Sequence, residues 1–425
     1  MNMPRKEYMH DKKHCDAYLT RLQFFLDIID NPEKSIPHYI HVTGTSGKGS
    51  VTNMLHSILH ASGQKVGSNI SPHPTSIEER WRIGEKKMSK KEFTDIVEQI
   101  IKPALDTYIQ TCDYDMISFF EIMTAIGLYW FAKQNVEWCV LEVGCGGRYD
   151  STNIIPNKDI AIITNIGLDH VGIIGDTKKD IAKEKAGIII KNCELFTTES
   201  DKNILSIIQK KCAQQKVSFH SILDFRFLIL NSNINGITFE YKNIKYKINA
   251  IGEHQIKNAI LCIDVAKHLR ISQNAIQKGI KKTLLPLRME IMSKNPLIIL
   301  DGAHNPDKMN TTVSTIKSIK KQSGSSFDNI HLILGFGGDK NIDKMLEQLA
   351  TLKPKTIACT RNTVNSFRTV IPPQELSKKI QLILPQTKIY ISLDPQVAYN
   401  WSRKQIQKHD ILLITGSLYL SGELS

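Results

Sequence analysis

Short apolar runs, each closed by glycine or a polar turn, alternate along this chain with longer segments whose apolar residues recur at helical spacing. Tyr39–Thr43, Trp138–Val143 and Asp159–Ile166 read as buried strands. After the first of them, Val51, Met54, Leu55, Ile58 and Leu59 mark one face of a helix, and Ser89–Gln110 reads as helix too. Met116–Ala132 is apolar nearly all round, the pattern of a buried helix, with Glu121 its only charge. Strand–helix–strand order of this kind predicts a largely parallel, doubly wound sheet.

The texture changes at Phe225–Leu230 and Ile237–Asn249. These read as strands joined by an Asn235-Gly236 turn, a small antiparallel patch on the edge of the first domain. The α/β rhythm restarts with strands at Leu297–Leu300, His331–Gly335, Thr356–Cys359, Lys388–Ser392 and Ile411–Thr415. Two α/β domains, 1–290 and 291–425, with a junction near Arg288–Asn295, account for this pattern most economically. An active site in the cleft between them is the expectation for such a chain.

Composition narrows the class. With 41% hydrophobic and 23% charged residues among 425, the chain is globular. Its longest apolar run, Ala125–Ala132, is far short of the ~18 residues a membrane span needs. The N-terminal stretch MNMPRKEYMHDKKHCD lacks an apolar core, so export is not expected. Eight cysteines without a C-x-x-C pair argue against a zinc or disulfide framework and suit a reducing cytoplasm. A net charge of +13 permits an anionic ligand. No long basic block accompanies it and aromatics are only 7%, which disfavours a nucleic-acid-stimulated ATPase.

The strongest local signal is His41-Val-Thr-Gly-Thr-Ser-Gly-Lys-Gly-Ser50, between a strand and an amphipathic helix. Gly44, Gly47 and Gly49 let backbone N–H groups face a phosphate without side-chain obstruction. Lys48 would reach the β- and γ-phosphates, and Ser50 lies at the helix start, where phosphate is favoured. The strict G-x4-G-K-[ST] pattern is not met, since Val42 stands at its first glycine and Gly49 follows the lysine. A glycine-rich turn with a solvated lysine is the plain alternative; the flanking strand and helix weigh against it.

This loop resembles the G-T-x-G-K-G-S loop of the Mur ligase superfamily, in particular of the folylpolyglutamate synthase/dihydrofolate synthase family. Further signatures recur in that family's order: Ser71-Pro-His73, LEVGCGGRYDSTN (141–153), NIGLDH (165–170), IAKEKAGI (181–188), GEHQIKNA (252–259), LPLRME (285–290), LDGAHNP (300–306) and TGSLYLSGE (415–423). The resemblance implies an N-terminal P-loop domain with a mostly parallel sheet, and a Rossmann-like α/β C-terminal domain. It implies an ATP- and Mg2+-dependent, ADP-forming ligase that joins L-glutamate to dihydropteroate or a folate. The partners implied are these small molecules, with no nucleic acid and no membrane, for a monomer in the cytoplasm.

The resemblance also assigns residues. Ser71, Glu142 and His170 map to magnesium ligands, and Lys185 to an N6-carboxylated lysine that holds a second magnesium. Glu142 falls near the end of the strand WCVLEV, and Asp169 and His170 just past the strand IAIITNI, where parallel sheets line their ligand crevice. A lysine such as Lys185 is otherwise read as helix surface. Lys48, His170 and Lys185 are the expected catalytic groups; Gly44, Gly47, Lys48, Gly49, Ser50, Asn258, Arg288 and Asp301 would bind ATP. Arg288 would take phosphates and Asp301 the ribose, so that ATP bridges the domains. Phe119, Phe120 and Glu121 with Tyr149, Asp150 and Ser151 would hold the pterin-bearing substrate. Glu121, a carboxylate in an apolar helix, requires a partner in any case: an internal backbone or arginine bond, or the pterin's own donors.

Ser46, Cys145, Tyr149, Ser151 and Pro74 depart from the family pattern, mostly around the acceptor. They leave open whether the chain makes dihydrofolate, lengthens polyglutamate tails, or does both. A Mur-type ligase for another carboxylate acceptor is the nearest rival. Only 43 residues precede Gly44, too few for the added UDP-sugar domain of ~100 residues such enzymes carry.

Overall fold

The computed structural model describes residues 16–168, 172–223, 225–322, 327–338, 341–364 and 369–425. The chain forms two compact units, one running through Arg226 and including Lys257–Thr283, the other comprising Phe227–Ile256 and Leu284–Ser425. Among the described residues, no helix is long and apolar enough to cross a membrane.

The first unit is built on an eight-stranded sheet: β1 (His38–Thr43), β2 (Val66–Asn69), β3 (Trp81–Ile83), β4 (Lys86–Lys87), β5 (Trp138–Glu142), β6 (Ile160–Ile163), β7 (Glu194–Thr197) and β8 (Ser218–Ser221). Its order is β4-β3-β2-β5-β1-β6-β7-β8, parallel except for the β3–β4 hairpin at one edge. The chain skips β5 on leaving β1 and skips β1 on leaving β5, so β1 sits at the topological switch point. There the outgoing loops part and leave a crevice beyond the strands' carboxyl ends.

Among the described residues, the helices of this region are α1 (Asp16–Ile28), α2 (Lys48–Ala61), α3 (Lys90–Ile96), α4 (Lys102–Thr111), α5 (Phe119–Lys133), α6 (Lys178–Lys185), α7 (Lys202–Gln215), α8 (His254–His268) and α9 (Gln273–Lys282). Leu22, Phe25 and Leu26 of α1 pack with Ile122 and Ile126 of α5 against Tyr39 and Leu141 of the sheet. Each such side chain contributes about 1.5–3 kcal/mol on leaving water. Ile181 of α6 and Ile204 and Ile208 of α7 cover Ala161 and Leu195 in the same way. Gly279 lets α9 lie against α2, because a Cβ there would meet the Ile58 Cα at 2.4 Å.

Two helix readings need refinement. The expected helix over Ser89–Gln110 is interrupted by a π-helical turn at Val97–Ile101 before resuming as α4. Pro103 follows that turn; it lacks an N–H and its ring would crowd the carbonyl four residues back, which the wider turn relieves. The apolar helix starts at Phe119 rather than Met116, because Ser118 caps it: the Glu121 N–H donates to the serine hydroxyl and the Ser118 N–H to the Glu121 carboxylate.

The second unit carries a six-stranded sheet and a three-stranded one. The latter, β9 (Phe227–Asn233), β10 (Gly236–Tyr241) and β11 (Ile244–Ile248), is antiparallel as expected, but it groups with this unit rather than with the edge of the first. What reads in sequence as one strand over Ile237–Asn249 is two, folded at Lys242-Asn243, both with positive φ (50° and 62°). That turn has no glycine to announce it. The larger sheet comprises β12 (Glu290–Lys294), β13 (Leu297–Leu300), β14 (Ile330–Leu334), β15 (Thr356–Cys359), β16 (Lys388–Ile391) and β17 (Ile411–Thr415), in the order β12-β13-β17-β14-β15-β16. Only β12 is antiparallel. It lies within the segment expected to be the junction, and its alternating exposure marks it as an edge strand rather than a linker.

Candidate active site

Beyond the carboxyl end of β1 the chain turns through Gly44–Gly47 into α2. Gly44 and Gly47 have φ of 149° and 84°, and neither has room for a side chain. A Cβ on Gly44 would lie 1.8 Å from the Thr164 Oγ1, and one on Gly47 2.7 Å from the Asn258 Oδ1. Asn258, on α8, thus stands directly against the loop. The loop is tied down by the segment after β6. Thr164 Oγ1 donates to the Ser46 carbonyl (2.6 Å), the Ser46 N–H to Asn165 Oδ1 (2.8 Å), and the Gly167 N–H to Thr45 Oγ1 (2.8 Å).

Both lysines singled out in the sequence converge here. Lys48 Nζ donates to the Gly44 carbonyl at 2.9 Å, and Lys185 Nζ donates to the same oxygen at 3.0 Å. Lys185 is the last residue of α6 and 2% exposed, so it is not the surface lysine its charged neighbours suggest. Gly146 and Gly147 pack against Glu184 and the carbonyls of residues 184 and 185, which seats the GCGGR loop on the end of α6. Burial raises the pKa of Glu184.

Ser71 and Glu142 also meet. Glu142, buried at the carboxyl end of β5, accepts the Ser71 N–H at 3.2 Å through Oε2, and its backbone neighbours Val42 in the register of β1 and β5. A carboxylate and a hydroxyl at adjoining strand ends are hard oxygen donors, the set a magnesium ion takes. The Ser46 Oγ in the loop is buried without a hydrogen-bond partner, a donor suited to a phosphate oxygen. His170 and Asp169 lie outside the described residues. Ser50 is buried in the first turn of α2.

Of the six residues expected to hold the acceptor, Phe120, Glu121, Tyr149, Asp150 and Ser151 line one narrow cleft together with Tyr18 and Arg21, while Phe119 is not part of its lining. Helix α1, which the sequence reading passed over, supplies the partner Glu121 requires. Arg21 Nη2 donates to Oε2 at 2.6 Å and Nε to Oε1 at 2.9 Å, with both side chains 6% exposed. Burial disfavours the Arg21 cation, yet its bonds to Glu121 outweigh this and raise its pKa. Glu121 thus has both kinds of internal partner, the Arg21 guanidinium and the Ser118 backbone N–H. An apolar helix opening with Ser118-x-x-Glu121 was a legible capping signal. Asp150, too, turns inward: it accepts the Cys145 N–H at 2.9 Å and the Thr152 N–H at 3.0 Å, and burial raises its pKa. Thr124 and Ser151 share a 2.7 Å hydroxyl bond under the cleft.

Behind Asp150 runs a buried polar chain absent from the sequence reading. Thr152 hydrogen-bonds Asp150 and lies 2.8 Å from the His41 Nε2. Lys158 Nζ lies 3.1 Å from the His41 Nδ1 and donates to Asn153 Oδ1 and the Ile188 carbonyl. Burial lowers the His41 pKa far below its usual value and brings that of Lys158 to about 7.

In the second unit Asp301, at the end of β13, is fully engaged. It accepts from the Met289 N–H (3.0 Å), the Ala303 N–H (3.1 Å) and the Thr312 hydroxyl (2.6 Å), and burial raises its pKa. These bonds shape the turn that presents Arg288, whose neighbours Leu287 and Met289 both have positive φ (56° and 55°). Gly335 and Gly416 close the ends of β14 and β17, while Asp339 lies outside the described residues.

Residues 93–266 match the Mur ligase middle domain and residues 287–418 the Mur ligase, glutamate ligase domain. The chain is 30% identical over 422 residues to a dihydrofolate synthase/folylpolyglutamate synthase of Bacillus subtilis, covering 96% of this chain and 94% of that one. It is 30% identical to a folylpolyglutamate synthase of Lacticaseibacillus casei, over 77% of this chain and 78% of the other. The crystal structure of Mycobacterium tuberculosis folylpolyglutamate synthase complexed with ADP and AMPPCP superposes with a TM-score of 0.85 at 26% identity, covering 96% and 94% of the two chains. From the switch-point loop to the second sheet, the chain belongs to the folylpolyglutamate synthase/dihydrofolate synthase family of Mur-type ligases.

Proposed function

We propose that this protein is an ATP-dependent ligase that adds L-glutamate both to dihydropteroate and to folates, releasing ADP and phosphate. The Lys48 ammonium held at the Gly44 carbonyl, on a loop with no room for side chains at Gly44 and Gly47, carries this reading, because it sets a cationic donor where a transferring phosphate would sit. A carboxylate oxygen of the acceptor attacks the γ-phosphorus and ADP leaves with the bridging oxygen. The glutamate amine then attacks the acyl carbon, phosphate departs, and the amine loses its proton. Lys48 and the backbone N–H groups of the loop take the charge that gathers on phosphate oxygens. Asn258 borders the loop from α8, and Arg288 and Asp301 are proposed for the phosphates and ribose on the family resemblance.

Ser71 and Glu142, with His170, are proposed to hold magnesium, which when bound neutralises phosphate charge. Lys185 is proposed to react with CO2 and add a second carboxylate; its burial beside the loop supports this over a surface role. The cleft over Phe120, Tyr149 and Ser151 is proposed for the pterin, with Phe119 flanking it. Arg21 and Glu121 fix its wall, and Asp150 orders its floor. Both activities are proposed because the Bacillus subtilis relative is named for both. A cytoplasmic monomer without nucleic-acid partners completes the proposal.

One assay tests it: ATP, magnesium, L-glutamate and either dihydropteroate or tetrahydrofolate, with products resolved by mass. Glutamate adducts of both acceptors are expected. ATP cleavage coupled to glutamate with some other acceptor, and none with a pterin, would overturn the assignment.

A further inference from the structure

At the amino end of β7, away from the P-loop crevice, three side chains from three elements converge. Glu194 opens β7, His220 lies in β8, and His268 ends α8. The Nε2 atoms of both imidazoles face a single carboxylate oxygen, Glu194 Oε2, at 2.6 Å for His220 and 3.0 Å for His268. Phe196 fixes both rings: His220 stacks on it at 4.4 Å and 16°, and His268 meets it edge-on at 5.4 Å and 67°. Each of the three side chains remains about one-third exposed, so the cluster is open to solvent.

We propose that Glu194, His220 and His268 form a binding site for a divalent transition metal, zinc above all. Two neutral imidazoles and one carboxylate are a recurrent three-ligand zinc set, completed by water in the fourth position. Zinc bonds of 2.0–2.2 Å in a tetrahedron separate neighbouring ligand atoms by about 3.3 Å. The three ligand atoms already lie within 4.8 Å of one another, and the two imidazole–carboxylate contacts need to lengthen by less than about 1 Å to admit the ion. Binding replaces any proton shared between each Nε2 and the carboxylate with a metal bond. Imidazole ligands select zinc, cobalt or nickel over magnesium, so the site is chemically separate from the magnesium proposed for the reaction. The cysteines take no part in it, which is why the absence of a C-x-x-C motif says nothing about this site.

The ion would act as a staple. It would join β8, the last strand of the sheet, to the C-terminal turn of α8, the helix whose Asn258 stands against Gly47. A metal that binds only the folded chain stabilises it in proportion to the logarithm of its concentration over Kd.

The test uses the full chain, stripped with chelator and titrated with Zn2+ in excess Mg2+ against a chromophoric competitor. Retention of about one equivalent, with a rise in Tm of several degrees, is expected. His268→Gln, at an exposed helix end where folding is safe, should lose both, as should Glu194→Gln. Replacement by Co2+ should give visible absorption typical of four or five ligands, absent in His268→Gln. Zinc uptake that is equal in wild type and His268→Gln, or no uptake against the competitor, would overturn the proposal.

Discussion

Asp301 accepts a hydrogen bond from the Met289 backbone N–H at 3.0 Å, and so anchors the far side of the turn that carries Arg288. The same turn is held on its near side by the Leu287 N–H on Glu290 (2.8 Å) and by the Gly302 N–H on the Leu287 carbonyl (2.9 Å). Left-handed backbone at two non-glycine residues costs of order 1–3 kcal/mol each and persists only under such constraint.

Two variants should therefore separate presentation from contact. Arg288→Ala, at a half-buried side chain, is expected to raise KM for ATP with Tm little changed. Asp301→Ala should raise the same KM and also destabilise the chain, by about 1–3 kcal/mol for each buried donor it orphans. Urea denaturation alongside ATP kinetics checks both. A stability equal to wild type in Asp301→Ala would show that the turn holds itself.

Lys48→Ala should leave the fold intact and cut turnover by roughly 10²–10³, the usual loss when one preorganised charge donor is removed. Single-turnover rates within about threefold of wild type would place the phosphate site elsewhere.

For Lys185 the expected state is a carbamate. Enzyme prepared in 13C-labelled bicarbonate should give a carbonyl resonance that Lys185→Ala lacks, and a short carboxylic acid should partly restore the variant's activity. Full activity in Lys185→Ala without additive would remove the lysine from the mechanism.

Arg21→Met strands the Glu121 carboxylate in an apolar wall, an effect of about 3–5 kcal/mol for a buried pair broken on one side. Replacing both, as Arg21→Met with Glu121→Leu, should recover most of that loss. If the pair shapes the pterin cleft, the double variant stays stable while kcat/KM for dihydropteroate remains depressed. Recovery of both would leave the pair a purely architectural one.

Lys158 ties stability to pH. Its pKa of about 7 lies below the ordinary 10.5, so between those values the unfolded chain holds a proton the folded chain has released. Stability must then rise with pH across that window. In Lys158→Met the rise should flatten, as read from urea midpoints at pH ~7 and ~9.5. An undiminished rise would mean that another group releases the proton.

The sheet centres were legible because strands buried on both faces announce themselves as apolar runs: β1, β5, β13 and β17 appear where the sequence puts them. Strands β7 and β8 were not, since ELFT and SFHS are short and half polar, and only their pairing beside β6 makes them strands. Lys48 and Glu142 could be placed by their position after a strand or at its end. The Arg21–Glu121 pair, 100 residues apart, follows from no local pattern, although the need for a partner did. Asp301 and Asp150 show the converse. Their positions at loop ends suggested ligand contacts, and no local pattern announces that their oxygens accept from backbone N–H groups.

The contact of Lys48 with Gly44 has a consequence for how tightly a nucleotide can be held. A lysine free in solvent surrenders about 2 kcal/mol of rotamer freedom when it is immobilised. Here Lys48 is already parked on the Gly44 carbonyl oxygen, which stands in for the anion. An arriving phosphate need only exchange places with a peptide oxygen a few ångströms away, so most of the ordering has been completed during folding. The loop is thus its own placeholder, and the same carbonyl, once vacated, marks where the departing product lets the lysine return.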